Sequence, residues 1–167
     1  MHLIIDGYNL LHVSRFLIHL SPIQLQRERE HLVDQLSAYQ KLKPCRITVV
    51  FDGWQGGWAT EKREIQKGVE VIYSKLGEKA DEVIKRLVKE KGSGALVITS
   101  DRDIARFAER MTVSVIPSAQ FLERMELSEE RFAGSLEEDG EIGTRQRGPS
   151  RRLSKKEKRA KAALKKL

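Results

Sequence analysis

Three observations predict an α/β fold with a mainly parallel sheet covered by helices on both faces. Segments suited to strands alternate with segments suited to helices. The strand segments are near-continuous apolar runs, as expected of strands buried on both sides. Several of these runs end on aspartate. The 167-residue chain is 40% hydrophobic, enough for one core of the common domain size, ~100 to 150 residues.

The elements follow in order. HLIID (2–6) reads as a buried strand and NLLHVSRFL (9–17) as a short helix. SPIQLQREREHLVDQLSAYQKL (21–42) reads as a long helix, with Ser21 as cap, Pro22 in its first turn, and Leu25, Leu32, Leu36 and Tyr39 as its inward stripe. RITVVFD (46–52) is a second strand, DGWQGGWATEKRE (52–64) a loop, and VEVIYS (69–74) a third strand. ADEVIKRLVKEKG (80–92) is a helix ended by glycine. ALVITS and VSVIP are further strands, each leading into a helix, DRDIARFAERM and SAQFLERMEL. No internal repeat is present.

Apolar spacing fades near residue 134, which predicts a domain over 1–133 and a linker with a basic tail over 134–167. Residues 145–167 hold 11 of the 31 Lys and Arg residues and 1 of the 24 Asp and Glu, a net charge of +10 that leaves −3 for residues 1–144. The positive balance therefore belongs to the tail, which suits a polyanionic partner. The single cysteine, Cys45, excludes an internal disulfide, and no Cys/His cluster suggests zinc. His2, His12, His19 and His31 lack ligand spacing and read as structural or surface residues. The apolar N-terminus is too short to span a membrane and is broken by Asp6. A soluble cytoplasmic protein with no membrane partner is the expectation.

In an open parallel sheet, ligands bind beyond the carboxyl ends of the strands. Asp6, Asp52, and Asp101 with Asp103 follow three such ends. Asp81 opens a helix on the side of Ile84 and Val88, tipping toward the same edge, whereas Glu82 joins Lys85, Arg86 and Lys89 on the wet face. Two carboxylates ~5 Å apart repel by ~3 kcal/mol at an effective dielectric of 20, so a cation between them would relieve the cluster. Oxygen ligands without His or Cys suit Mg2+ or Mn2+. Such an ion can hold a phosphodiester and lower the pKa of a bound water. Asn9 would serve as a neutral ligand or water-orienting group.

Each residue alone has a plainer explanation. Asp101 or Asp6 can cap a helix, Asp52 with Gly53 can form a turn, Asp103 can be a first-turn acid favoured by the helix dipole, and Asn9 can bond locally. These explanations leave unexplained why the acids share one end of otherwise apolar strands.

IIDGYNLL, VVFDG, KADEVIKRL and VITSDRDIA, in this order and spacing, resemble the YacP-like NYN nucleases, relatives of the PIN-domain ribonucleases, over about residues 1–125. The resemblance implies a PIN-like three-layer α/β/α fold and metal-dependent RNA cleavage, with ribosome-associated mRNA decay in bacterial members. Carried over, Asp6 and Asn9 match the first acidic motif, Asp81 the middle acid, and Asp101 with Asp103 the late acids. Asp6, Asp81 and Asp101 are thus the expected metal ligands, Asn9 and Asp103 catalytic supports, and Asp52 an outer-shell residue. The tail lies outside these motifs.

For RNA, Trp54 and Trp58 can stack on bases or pack under their loop. Lys62, Arg63 and Lys67 can track phosphates or form a solvated face, and Lys79 can reach a scissile phosphate. In the tail, Arg151, Arg152, Lys155, Lys156, Lys158 and Arg159 are the candidate contacts to RNA or a ribosome. A non-catalytic RNA- or ribosome-binding adaptor would share the tail. A phosphate-receiver domain would need a lysine late in the sheet, which no strand end offers. A haloacid-dehalogenase-like phosphatase would need an acid where Tyr8 stands.

Overall fold

The computed structural model describes residues 1–14, 20–53 and 59–138, with side chains as far as 130. Its strands are β1 (His2–Asp6), β2 (Arg46–Phe51), β3 (Lys62–Gln66), β4 (Val69–Tyr73), β5 (Ala95–Ile98) and β6 (Ser114–Ile116). Its helices are α1 (Gly7–Ser14), α2 (Pro22–Leu42), α3 (Ala80–Lys91), α4 (Arg102–Arg110) and α5 (Ser118–Glu138). The strands form one sheet in the order β3-β4-β2-β1-β5-β6, parallel except for the β3–β4 pair. By its own contacts the chain separates into Met1–Leu136 and Glu137–Leu167.

Successive side chains on a strand point to opposite faces, and here both faces are apolar. Leu3, Ile5, Val49, Phe51 and Ile98 share one core with residues of α1, α2 and α5. Ile4, Val50, Ile72 and Val97 share the other with α3 and α4. This is the three-layer α/β/α arrangement, and it explains why the strands read as unbroken apolar runs. Helix α2 starts on a capping box: Ser21 Oγ accepts from Gln24 N, and Gln24 Oε1 accepts from Ser21 N at 2.8 Å. Of its expected inward stripe, Leu32, Leu36 and Tyr39 are buried and Leu25 is half-buried.

Two elements differ from the sequence expectation. Residues 62–64, expected in a loop, open the edge strand β3. Its residues are exposed or half-buried, so no apolar run marks it. The signal lies in the turn instead: Lys67 (φ 51°) and Gly68 (φ 88°) are both left-handed, the backbone of a two-residue hairpin matched to strand twist. Helix α5 continues to Glu138, through the Gly134 and Ser135 that suggest a linker.

Two glycines allow close approach at the strand ends. A Cβ on Gly7 would lie 2.3 Å from the Phe51 ring, and one on Gly53 would lie 1.8 Å from the Ser74 carbonyl oxygen. Gly7 thereby lets α1 start directly on β1. Tyr8 is then fixed: its hydroxyl accepts from the buried Arg29, whose guanidinium lies 5.3 Å from the Tyr8 ring centroid and 5.8 Å from those of Phe51 and Tyr73.

Candidate active site

The sheet reverses its winding at β1. From β1 the chain moves through α1 and α2, on one face, to β2; from β5 it moves through α4, on the other face, to β6. The crevice beyond β1 and β5 is therefore the topological switch point, where open α/β sheets bind ligands. Asp6 ends β1 there, and Thr99, Ser100 and Asp101 follow β5.

Asp6 is 8% exposed. Its Oδ1 accepts from Asn9 N at 3.1 Å and its Oδ2 from Thr99 Oγ1 at 3.2 Å. These neutral donors do not offset the loss of water. Burial first, and then the charges of Asp81 and Asp52, push its pKa up to about 6 against those two hydrogen bonds. Asp81 is half-buried at the start of α3, and burial followed by repulsion from Asp101 raises its pKa, with Lys85 opposing. Glu82, next in sequence, is exposed and pairs with Lys85 at 3.1 Å, as helix phase predicts. Electrostatic coupling thus joins Asp6, Asp52, Asp81 and Asp101.

Asp52 and Asp101 also cap helices. Asp101 Oδ1 accepts from Asp103 N at 2.8 Å and Ile104 N at 3.0 Å, at the N-cap of α4. Asp52 Oδ1 accepts from Ala80 N at 2.6 Å, so a carboxylate at the end of β2 caps α3, whose own N-cap residue, Lys79, makes no side-chain cap bond. Asp81 is the residue that follows the capped amide. Asp103 is exposed in the first turn of α4.

The Asn9 side chain is engaged within the protein. Its Oδ1 accepts from Ser100 N and from Ser118 Oγ, both at 2.8 Å, which uses both lone pairs of the amide oxygen. It ties α1 to the segments following β5 and β6. Thr99 has a similar part: its Oγ1 donates to Asp6 and accepts from Asp101 N at 3.1 Å. Sequence reasoning missed Thr99, Ser100 and Ser118. Their signal was a hydroxyl residue within two positions of a strand's carboxyl end, in ITS and IPS. Thr99 and Ser118 prove to be almost fully buried.

Among the described residues, no three His, Cys, Asp or Glu side chains lie together as a ready metal cage. The oxygen-only acids do fit a cation held by fewer protein ligands. Mg2+ characteristically keeps several waters and is bound through one or two carboxylates together with substrate phosphates.

The expected RNA contacts fall in different places. Lys79 is exposed beside Asp81. Lys62 and Arg63 lie on β3 and are ion-paired, Lys62 with Glu64 at 3.0 Å and Arg63 with Glu61 at 2.7 Å; Lys67, in the hairpin turn, pairs with Asp34 at 2.6 Å. Trp54, Trp58 and the tail residues Arg151, Arg152, Lys155, Lys156, Lys158 and Arg159 lie outside the described residues. No described helix is long and apolar enough to cross a membrane.

A family model of the YacP-like NYN domain matches residues 3–166. The chain belongs to the YacP-like NYN domain family. The match runs through the basic tail, which the sequence motifs did not reach. The chain is similar to the uncharacterized protein YacP of Bacillus subtilis (strain 168), with 33% identity over 102 residues that span 59% of each protein. Its fold is that of the crystal structure of Rae1 (YacP) from Bacillus subtilis. A tryptophan-to-leucine mutant of that protein superposes with a TM-score of 0.71 at 24% identity, covering 87% of this chain and 86% of the other. A second crystal structure of Rae1 (YacP) gives 0.65 at 24% identity, covering 99% and 88%. The NYN domain family is, in general, nuclease-like.

Proposed function

We propose that the protein is a metal-dependent endoribonuclease that hydrolyses phosphodiester bonds in RNA, acting in the cytoplasm on ribosome-associated messages. One observation carries this reading: acids coupled by mutual repulsion gather at the switch point, where burial and its neighbours oppose the charged form of Asp6. Such an edge gains from a divalent cation and from the phosphate that arrives with it.

Asp6, Asp81 and Asp101 are the candidate side chains, of which one or two at a time would hold Mg2+ or Mn2+, with water and phosphate oxygens completing the coordination shell. Bound there, the ion would supply an activated water and charge stabilisation for the leaving oxygen. The protein's own residues orient and enclose. Thr99 holds Asp6 against the start of the Asp101 loop, Asn9 locks the segments after β5 and β6, and Asp52 sets the phase of Asp81 by capping α3. Lys79, exposed beside Asp81, would meet a phosphate from solvent, and the +10 charge of the tail would favour RNA or a ribosomal surface.

The test is incubation of the full chain and of Asp101→Asn with single-stranded and structured RNA, with and without Mn2+ or Mg2+. The expected outcome is internal cleavage by the wild type only with added metal, and none by the variant. Asparagine caps a helix about as well as aspartate, so a fully active variant would reduce Asp101 to a cap. The +10 tail, which binding alone would use, carries a second reading, a non-catalytic RNA-binding adaptor. RNA binding without metal-dependent cleavage by the wild type would select it.

A further inference from the structure

Helices α3 and α4 pack side by side on one face of the sheet and share a core layer. Both begin at the acidic edge, and between them lies an open groove of about 870 Å3 lined by Lys85, Asp103, Arg106, Phe107, Glu109 and Arg110. We propose that this groove is a track for single-stranded RNA leading away from the acidic edge. The proposal rests on the nuclease reading for the identity of the polymer and adds the path of the strand.

Charge changes sign along the groove. Asp103, in the first turn of α4, lines the groove, and Asp81 stands in the first turn of α3. One helical turn further come Lys85 and Arg106, and about another turn further Lys89 and Arg110, each turn advancing ~5.4 Å. A polyanion with one phosphate at the acids would therefore meet cations beside its next phosphates. Two carboxylates temper this: Glu82 pairs with Lys85, and Glu109 lines the wall. The outer pair has no such partner among the described residues. Lys89 Nζ lies 5.7 Å and the Arg110 guanidinium 6.0 Å from the centroid of the Phe107 ring. An aromatic ring attracts a cation without neutralising it, so these charges are oriented and remain available to phosphate. Arg86 makes the contrast, its guanidinium engaged by both Glu61 and Glu78.

The experiment measures binding of the full chain to a labelled single-stranded RNA across a salt series, in EDTA so that cleavage cannot intervene. Lys89→Ala with Arg110→Ala is compared with Lys41→Ala with Lys43→Ala, exposed residues at the far end of α2. Two lost phosphate contacts should lower the slope of log affinity against log salt by ~1.4, with affinity falling on the order of tenfold at ~0.1 M salt. The control pair should match the wild type. An unchanged slope and affinity, or an equal loss in the control, would overturn the track. So would displacement of the RNA by polyglutamate of equal charge as readily as by RNA, which would point to an acidic protein partner. Because binding is read without metal, a wild type that binds but never cleaves would fail the nuclease reading and leave the groove to be decided by the slope.

Discussion

Two sets of acids in this molecule are treated in opposite ways. Along the flank formed by β3 and α3, Arg86 pairs with Glu78 at 2.8 Å and also with Glu61, Arg63 pairs with Glu61 at 2.7 Å, and Lys62 pairs with Glu64 at 3.0 Å. At the carboxyl ends of the strands, Asp6 is more deeply buried than any of these, yet its hydrogen-bond partners are a backbone amide and a hydroxyl. Along this flank the chain thus places cations beside acids. At the switch point it leaves repulsion among acids only partly offset, an arrangement suited to a cation supplied from outside.

The largest effect that could break this contrast lies at Asp6. Its carboxyl has a pKa of about 6 when folded against ~3.9 when unfolded. Between those values the native state keeps the proton and the unfolded chain has lost it, so the group's contribution to stability is full below pH ~4 and is lost as pH rises through 6. The difference is on the order of 3 kcal/mol. Asp6→Asn should therefore flatten the pH profile of urea unfolding in EDTA and raise stability at pH 7, while cleavage disappears. Added Mg2+ should stabilise the wild type at pH 7 far more than the variant. Identical pH profiles for the two proteins would show that Asp6 carries no such penalty.

Adjacent acids on one helix sharpen the contrast. Asp81 faces the edge and is coupled to Asp101, whereas Glu82 is exposed and paired with Lys85. Asp81→Asn should lower kcat on the order of a hundredfold, within the range for a group acting at the reacting centre. Glu82→Gln should leave kcat within about twofold. Equal losses at both positions would assign the effect to the helix as a whole.

Much of this edge was legible in the sequence because its signals are local. An apolar run ending in aspartate states both the strand and the end at which its acid lies, and helix periodicity separated Asp81 from Glu82. The edge strand β3 was not legible, since a strand with two polar faces lacks the pattern that marks buried strands. Nor was the network around Asn9. Its two acceptor bonds come from Ser100 and Ser118, 91 and 109 residues away, and only the strand order brings those segments together. The capping of α3 by Asp52 has the same origin: the bond spans 28 residues, although Asp52–Gly53 alone looks like a turn.

That cap supplies a smaller test. Asp52→Ala removes the acceptor for Ala80 N and should cost ~1 kcal/mol, as N-cap deletions do. It should also lower cleavage ~10- to 100-fold, the usual range for a residue that orients a ligand, because Asp81 follows the freed amide. Asp52→Asn keeps an oxygen acceptor and should recover most of both losses in thermal unfolding and in cleavage. A loss of activity in Asp52→Asn as complete as in Asp6→Asn would instead place the Asp52 charge in direct contact with the metal or the phosphate.

The smallest expected effect belongs to the paired flank. Arg86 is about half exposed and bridges Glu61 and Glu78, so its ion pairs are screened by water and salt. Arg86→Ala should cost no more than ~1 kcal/mol, the upper range for exposed pairs, and that difference should shrink as salt is raised. Cleavage should remain within about twofold of the wild type, because the two glutamates it leaves behind lie along the flank and are not among the charges that most raise the Asp6 pKa. A drop in cleavage comparable to that of Asp81→Asn would mean that the flank sets the geometry of the acidic edge. The two sets of acids would then form one electrostatic unit, and the partial compensation at the switch point would have to be explained by the whole β3–α3 network rather than by a missing cation.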